Sequence, residues 1–174
     1  TNRTKYDLHE EIGQMGARYA GHSDREFTRI GLQLHRADAA KGIAVLGDMI
    51  ANPQINPAEL ELLKEQVSQE HEDNHNRYSE TTLENAHFNS YREHMMGQPI
   101  KGDRDLTQSL GADHLRDYYA ANYVGKNIVV VATGDVNHAQ IVDAVEQHFS
   151  SLPLESSIPA KNTEQPIYIP ALLM

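Results

Sequence analysis

The run Ile128-Val129-Val130-Val131 constrains this chain more than any other stretch. Four consecutive β-branched side chains lose rotamer freedom in a helix and pack well on a pleated surface. With no polar residue alternating among them, they read as a strand buried on both faces, spanning Asn127 to Thr133. Such a strand needs helices laid over its sheet. The stretch Asn137 to Phe149 supplies one, with Ile141, Val142, Val145 and Phe149 directed inward.

The preceding residues carry the other elements. Thr4 can cap a helix over 4–15 with Asp7 in its first turn, and Gly16 ends it. Ala17 to His22 and Phe27 to Leu34 read as two strands of a hairpin turning at Ser23-Asp24. Helical periodicity then runs over 36–51, with Ile43, Leu46, Met49 and Ile50 as a stripe. Asn56-Pro57 opens a further helix, Asn as cap and Pro as first residue, burying Leu60, Leu63 and Val67. A helix over 80–96, capped by Ser79, places Leu83, His87, Tyr91 and Met95 on one stripe. Short helices are expected over 105–109 and 112–122. The tail from Ser150 reads as linker, with a terminal strand near Ile167-Tyr168-Ile169. The order is that of an α+β fold, a layered sheet with helices packed on it. Two to four strands make a poor sheet alone, so a strand from another chain or segment is expected on its exposed edge.

Composition narrows the function classes. A net charge of −10 repels phosphate backbones and anionic lipid, so neither nucleic acid nor a membrane surface is an expected partner. No run approaches the roughly 18 apolar residues of a membrane span. The absence of cysteine excludes disulfides, Cys-ligated zinc and a thiol nucleophile. The chain starts Thr1-Asn2-Arg3-Thr4 with neither Met nor a signal-like apolar run, as expected of a mature, processed or partial chain.

The most conspicuous motif is His71-Glu72-Asp73-Asn74-His75, which satisfies H-E-x-x-H. On a helix its two histidines lie one turn apart and can both reach a tetrahedral zinc, with Glu72 as base. A zinc site also needs a shaped, partly dry cavity. Here Ser68, Gln69, Glu70, Asp73, Asn74, Asn76 and Arg77 surround the pair, and no apolar face continues past Val67. Neither Glu80 nor His87 is singled out as a third ligand. The motif therefore reads as a solvated helix face, and His87 as a satisfied core residue. Glu70, three residues beyond Val67, can stand at the edge of the core where a ligand carboxylate belongs, although a surface glutamate has the same periodicity. Glu59, Glu61, Glu65, Glu70, Glu72 and Asp73 face only Lys64, an acidic helix able to attract basic peptides or a cation but more commonly a solubilising face. Ser23-Asp24-Arg25-Glu26 suits a salt-bridged hairpin turn. No P-loop, G-x-G-x-x-G or G-x-S-x-G occurs.

Taken in order, several segments resemble the N-terminal domain of the pitrilysin/insulinase-type (M16) metallopeptidases, in the branch of mitochondrial processing peptidase β subunits and cytochrome bc1 core proteins. Thr1 to Thr4 and Leu8 to Ala17 resemble the stretch after the active-site helix, and Ser23-Asp24-Arg25-Glu26 the S-x-R-E hairpin. Ala37 to Asn52 is similar to the A-x-x-x-L-x-D-x-I helix, and Tyr91 to Gly102 to the loop-entering segment after it. Tyr118 to Phe149, with Asn122-Tyr123 and Ala132 to His138, resembles the last strand–helix unit. The resemblance covers 1–153, leaving 154–174 as linker or tail.

The resemblance implies an incomplete M16-like layered domain. Family members hold zinc with an inverted H-x-x-E-H helix and a distant Glu. Aligning on Tyr91 and Gly97 puts that distant ligand at Glu70, not at His71 or His75. H-x-x-E-H itself is absent: Ser90-Tyr91-Arg92-Glu93-His94 lacks the first His and lies in the wrong place. In the family it would precede Thr1. A further Glu usual in active members, seven residues before the ligand, is Leu63 here. One carboxylate cannot hold catalytic zinc, which needs three protein ligands and an open position. No cofactor is expected for this chain alone, and zinc only if the missing helix is supplied.

The implied function is a core-protein-like structural subunit of the mitochondrial cytochrome bc1 complex, inert by itself as a peptidase. The alternative is a segment of an active zinc-dependent processing peptidase that cleaves presequences, its zinc helix lying elsewhere. A third reading is an unrelated zinc peptidase built on His71 and His75. Implied partners are other subunits of a mitochondrial complex, including a second M16-like chain, and presequence peptides. The implied location is the matrix side of the inner membrane.

Overall fold

The structure, a computed structural model, describes residues 3–75, 78–92 and 94–156, without the side chains of 74 and 75. The described chain divides into two compact units. The first comprises 3–22, 29–54 and 117–156; the second comprises 23–28 and the described residues of 55–116.

In the first unit, α1 (Lys5–Gln14) starts at Thr4 with a reciprocal cap. The Thr4 hydroxyl accepts from Asp7 N at 3.2 Å, and Thr4 N donates to the Asp7 carboxylate at 2.7 Å. Gly16 follows at φ +58°, the left-handed conformation that turns the chain into β1. Strands β1 (Arg18–Ser23) and β2 (Thr28–Gln33) pair as a two-stranded sheet. A single 3-10 turn at Arg36–Asp38 leads into α2 (Ala39–Ala51). The last helix, α7 (His138–Phe149), is capped by Asn137, whose side chain accepts from Gln140 N at 3.2 Å.

Helices α2 and α7 form the core of this unit. They run side by side in the same direction: Ala39 and Ala40 lie by Gln140 and Ile141, while Gly47 lies against His148 and Phe149. The glycine permits the close approach, because a Cβ on Gly47 would meet the His148 carbonyl oxygen at 2.9 Å. Val45, Val124 and Ala144 are the buried hydrophobic residues among those described. Arg3 ties α1 to α2, its guanidinium 2.8 Å from both Glu11 and Asp48. Tyr119 donates its hydroxyl to the Ile50 carbonyl and stacks on Tyr123. Burial, and next Tyr123, push its phenol above the usual tyrosine value.

The second unit is built on α3 (Pro57–His75), α4 (Tyr78–Tyr91) and α5 (Arg104–Ser109). Asn56 opens α3, its side chain accepting from Ala58 N at 2.9 Å. A 3-10 turn at Met95–Gly97 follows α4. Gly97 is buried so tightly that a Cβ would meet the Arg92 carbonyl oxygen at 2.5 Å. Helix α6 (Ala112–Asn122) runs from the second unit into the first.

Several expectations need correction. The segment 128–133 is extended but carries no ladder, and it is not buried on both faces: Val129 is 84 % and Val131 77 % exposed. Among the described residues no backbone hydrogen bond engages 129–133. What would cover this run is not supplied by the described residues. Leu63, Leu83, Met95 and Val142, expected on buried stripes, are also exposed. In α3 the buried residue is instead Lys64, which lays its stem inward and brings Nζ 2.8 Å from Glu61. In α7 the buried residue is Ala144. Helix α4 starts at Tyr78, so Ser79 lies inside it and does not cap it, and it ends at Tyr91, not at 96, where Arg92 takes a positive φ of 46°. The strand expected near Ile167-Tyr168-Ile169 lies outside the described residues.

Candidate functional site

The site residues singled out above all lie on α3, in the second unit. Glu70 sits in the helix's polar C-terminal half and is exposed, not tucked against an apolar edge. Its Oε2 lies 2.8 Å from Lys101 Nζ. Glu72 lies 3.3 Å from the Arg104 guanidinium. Lys101 comes from the connection between the Met95–Gly97 turn and α5, and Arg104 is the first residue of α5. Asp103 caps that helix, its carboxylate accepting from Leu106 N at 3.0 Å. Gln108 on α5 donates to Ser68 Oγ at 2.6 Å and to the Lys64 carbonyl at 3.3 Å.

His71 is half-buried, with Nε2 enclosed and lacking a hydrogen-bond partner among the described residues, so it departs from the fully solvated face expected of this stretch. The His75 side chain lies outside the described residues, so the H-E-x-x-H pair is not measured. His87 on α4 stacks on Tyr91 at 6.1 Å between ring centroids, but its buried Nδ1 is unpartnered, contrary to a satisfied core histidine. Among the described residues no group of three or more His, Cys, Asp or Glu could hold a metal ion. Zinc of the kind the resemblance implies needs three protein ligands. The described residues of this chain therefore do not fit it unaided.

Among the described ion pairs that span different elements, Arg25, from the Ser-Asp-Arg-Glu turn, is the most buried cation. Its guanidinium is 2.5 Å from Glu84 on α4, and Nε donates to the Gln98 carbonyl at 3.2 Å. The turn is thus salt-bridged outward, to α4, and the Ser23 and Thr28 hydroxyls hydrogen-bond across its base at 3.1 Å. Pairing over 59 residues of sequence leaves no local signal.

In the first unit a groove of about 330 Å³ is lined by Ile128, Val130, Val145, Phe149 and Leu152. Alternate residues of the extended run thus face α7, while Val129 and Val131 face away. A second recess, of about 680 Å³, opens beside the exposed Arg36–Asp135 ion pair near the starts of α2 and α7. No described helix is long and apolar enough to cross a membrane.

Comparison with known proteins bears on these features. Residues 1–104 match the family described as Insulinase (Peptidase family M16), and residues 109–171 match the Peptidase M16 inactive domain. The chain is similar to the mitochondrial-processing peptidase subunit beta of Blastocladiella emersonii, with 30 % identity over 87 % of this chain and 32 % of that protein. It is similar to cytochrome b-c1 complex subunit 1, mitochondrial, of Bos taurus, with 24 % identity over 87 % of this chain and 32 % of that protein. The chain therefore spans about a third of the length of these relatives. Among solved structures, a protease from Helicobacter pylori superposes with a TM-score of 0.79 over 97 % of this chain and 41 % of that one. At 19 % identity this shows the fold alone. With the insulinase description covering more than half of its residues, the chain belongs to the M16 peptidase family.

Proposed function

We propose that this chain acts as a structural, core-protein-like M16 subunit of a mitochondrial complex, of the cytochrome bc1 kind, and does not cleave peptides by itself. The observation that carries this reading is the extended 128–133 run. It presents exposed Val129 and Val131 and a backbone without ladder partners among the described residues. Open edges of this kind are normally paired or covered in stable proteins. A second chain, such as another M16-like subunit on the matrix side of the inner membrane, would close it. The chemistry agrees with such a role. H-x-x-E-H is absent from the 174 residues, and Glu70 alone supplies too few ligands for catalytic zinc.

The test pairs an assembly measurement with an activity measurement. Co-expression with an M16-like partner should yield a stoichiometric complex whose 128–133 amides are protected from exchange. The purified chain with added zinc should leave a presequence peptide intact. Zinc-dependent cleavage by the chain alone, or strong protection of 128–133 without a partner, would overturn the proposal.

Thirty per cent identity to a peptidase β subunit favours a second reading, in which the chain is a segment of a processing peptidase. Cleavage that appears only when a polypeptide bearing a His-x-x-Glu-His helix is added would establish that reading in place of the first.

A further inference from the structure

The connection between α4 and α5, with the start of α5, is fastened at several points. At one end Arg25 Nε donates to the Gln98 carbonyl at 3.2 Å. In the middle Lys101 Nζ meets Glu70 at 2.8 Å, and Arg104 meets Glu72 at 3.3 Å. Beyond it Gln108 donates to Ser68 Oγ at 2.6 Å. The turn between the two cations is made at Gly102, with φ +73° and its N–H donating to the Pro99 carbonyl at 3.0 Å. A side chain with a Cβ rarely adopts that conformation, so the glycine is what sends both Lys101 and Arg104 to the same helix. Glu70 and Glu72 are two residues apart on α3, and each receives one cation from this segment.

We propose that residues 98–104 form a strap fastened to the acidic half of α3, and that Glu70 here is the strap's ion-pair anchor and not a metal ligand. A zinc ion arriving at Glu70 would have to displace an ammonium group or share the carboxylate with it at like-charge repulsion. No cluster of three or more ligating side chains among the described residues offsets that cost. Lys101 is 37 % and Glu70 57 % exposed, so one such pair is weak alone. The strap holds through the set of contacts, which predicts small effects from single substitutions and a specific pattern among them.

Hydrogen exchange of the full chain resolves that pattern at residues 98–104. Glu70→Gln keeps the side-chain shape and removes the charge; Lys101→Met keeps the stem. Each should speed exchange of these amides about two- to five-fold, the range expected of an exposed ion pair. The double variant should exchange no faster than either single one, because both remove the same contact. Lys101→Arg should restore slow exchange. Titration with zinc alone should show no saturable binding that Glu70→Gln abolishes. Wild-type exchange in both single variants would overturn the proposal, as would tight zinc binding lost with Glu70. These readouts involve neither peptide cleavage nor assembly, so they stand or fall separately from the proposed function.

Discussion

Two glycines in one helix show how far single atoms decide the packing of the first unit. A Cβ on Gly47 would lie 2.8 Å from His148 Cβ and 2.9 Å from its carbonyl oxygen, so α7's backbone would have to move. A Cβ on Gly42 would meet Leu34 Cδ2 at 2.3 Å, the far end of a side chain that can rotate away. Overpacking typically costs about 1–3 kcal/mol, whereas Gly→Ala in a helix gains up to about 1 kcal/mol. Gly47→Ala should therefore lower stability by about 1–2 kcal/mol, and Gly42→Ala should stay within about 1 kcal/mol of the parent. Denaturant midpoints of the two variants check this, and equal midpoints would contradict the backbone argument. At Thr4, hydrogen bonds from its backbone N–H and then its hydroxyl hold the Asp7 carboxyl below its ordinary 3.8. A folded value below the unfolded one means that the cap's contribution is complete above pH 3.8. It is lost as pH falls through the lower folded value. NMR titration of Asp7 should show the depressed midpoint, and Thr4→Ala should raise it only in part, because the backbone N–H at position 4 still donates to the carboxylate.

At the scale of elements, what was legible depended on whether the cause was local. Thr4 and Asn56 each cap a helix within three residues of its start, and Gly16 ends one, so α1 and α3 could be placed from neighbouring residues. Ser79, expected as a cap, lies inside α4, and the caps of α5 and α7 at Asp103 and Asn137 were not read as such. Burial could not, because it depends on what lies opposite. The stripes through Leu63, Leu83 and Val142 mark faces suited to a core, yet those residues are exposed among the described ones. Long-range pairs were equally invisible: Glu70 and Lys101 meet across two helices and a turn, and sequence alignment marked Glu70 for metal without showing its counter-ion. Arg25 makes the same point with energetic consequence. Its side chain is 9 % exposed against 36 % for Glu84, so removing the cation strands a partly solvated carboxylate. Full burial would raise that cost to several kcal/mol, and solvent screening reduces it. Arg25→Met should lower stability by about 1–2 kcal/mol and speed amide exchange at the 23–28 tip. Glu84→Gln should cost less, since Arg25 keeps the Gln98 carbonyl as acceptor. Equal losses for the two variants would mean that the pair, not the buried guanidinium, is what matters.

For the molecule as a whole, the β-branched run that seemed to promise a sheet centre has no ladder among the described residues. Ile128 and Val130 line the groove against α7, while Val129 and Val131 are solvent-facing and the backbone between them has no hydrogen-bond partner among the described residues. Short, apolar, uncharged β-branched segments with open edges template pairing with other chains. Partner and self-association compete for the same hydrogen bonds, so the isolated chain should associate with increasing concentration. Charges on the outward positions should block that without disturbing the fold, because both side chains are largely exposed among the described residues. Val129→Lys with Val131→Lys should therefore keep the denaturation midpoint within about 0.5 kcal/mol. The same pair should abolish concentration-dependent sedimentation. Val130→Lys should instead destabilise the first unit, since that residue faces α7. If the outward pair lowers stability as much as Val130→Lys does, the two sides of the run are equivalent and the open-edge account fails.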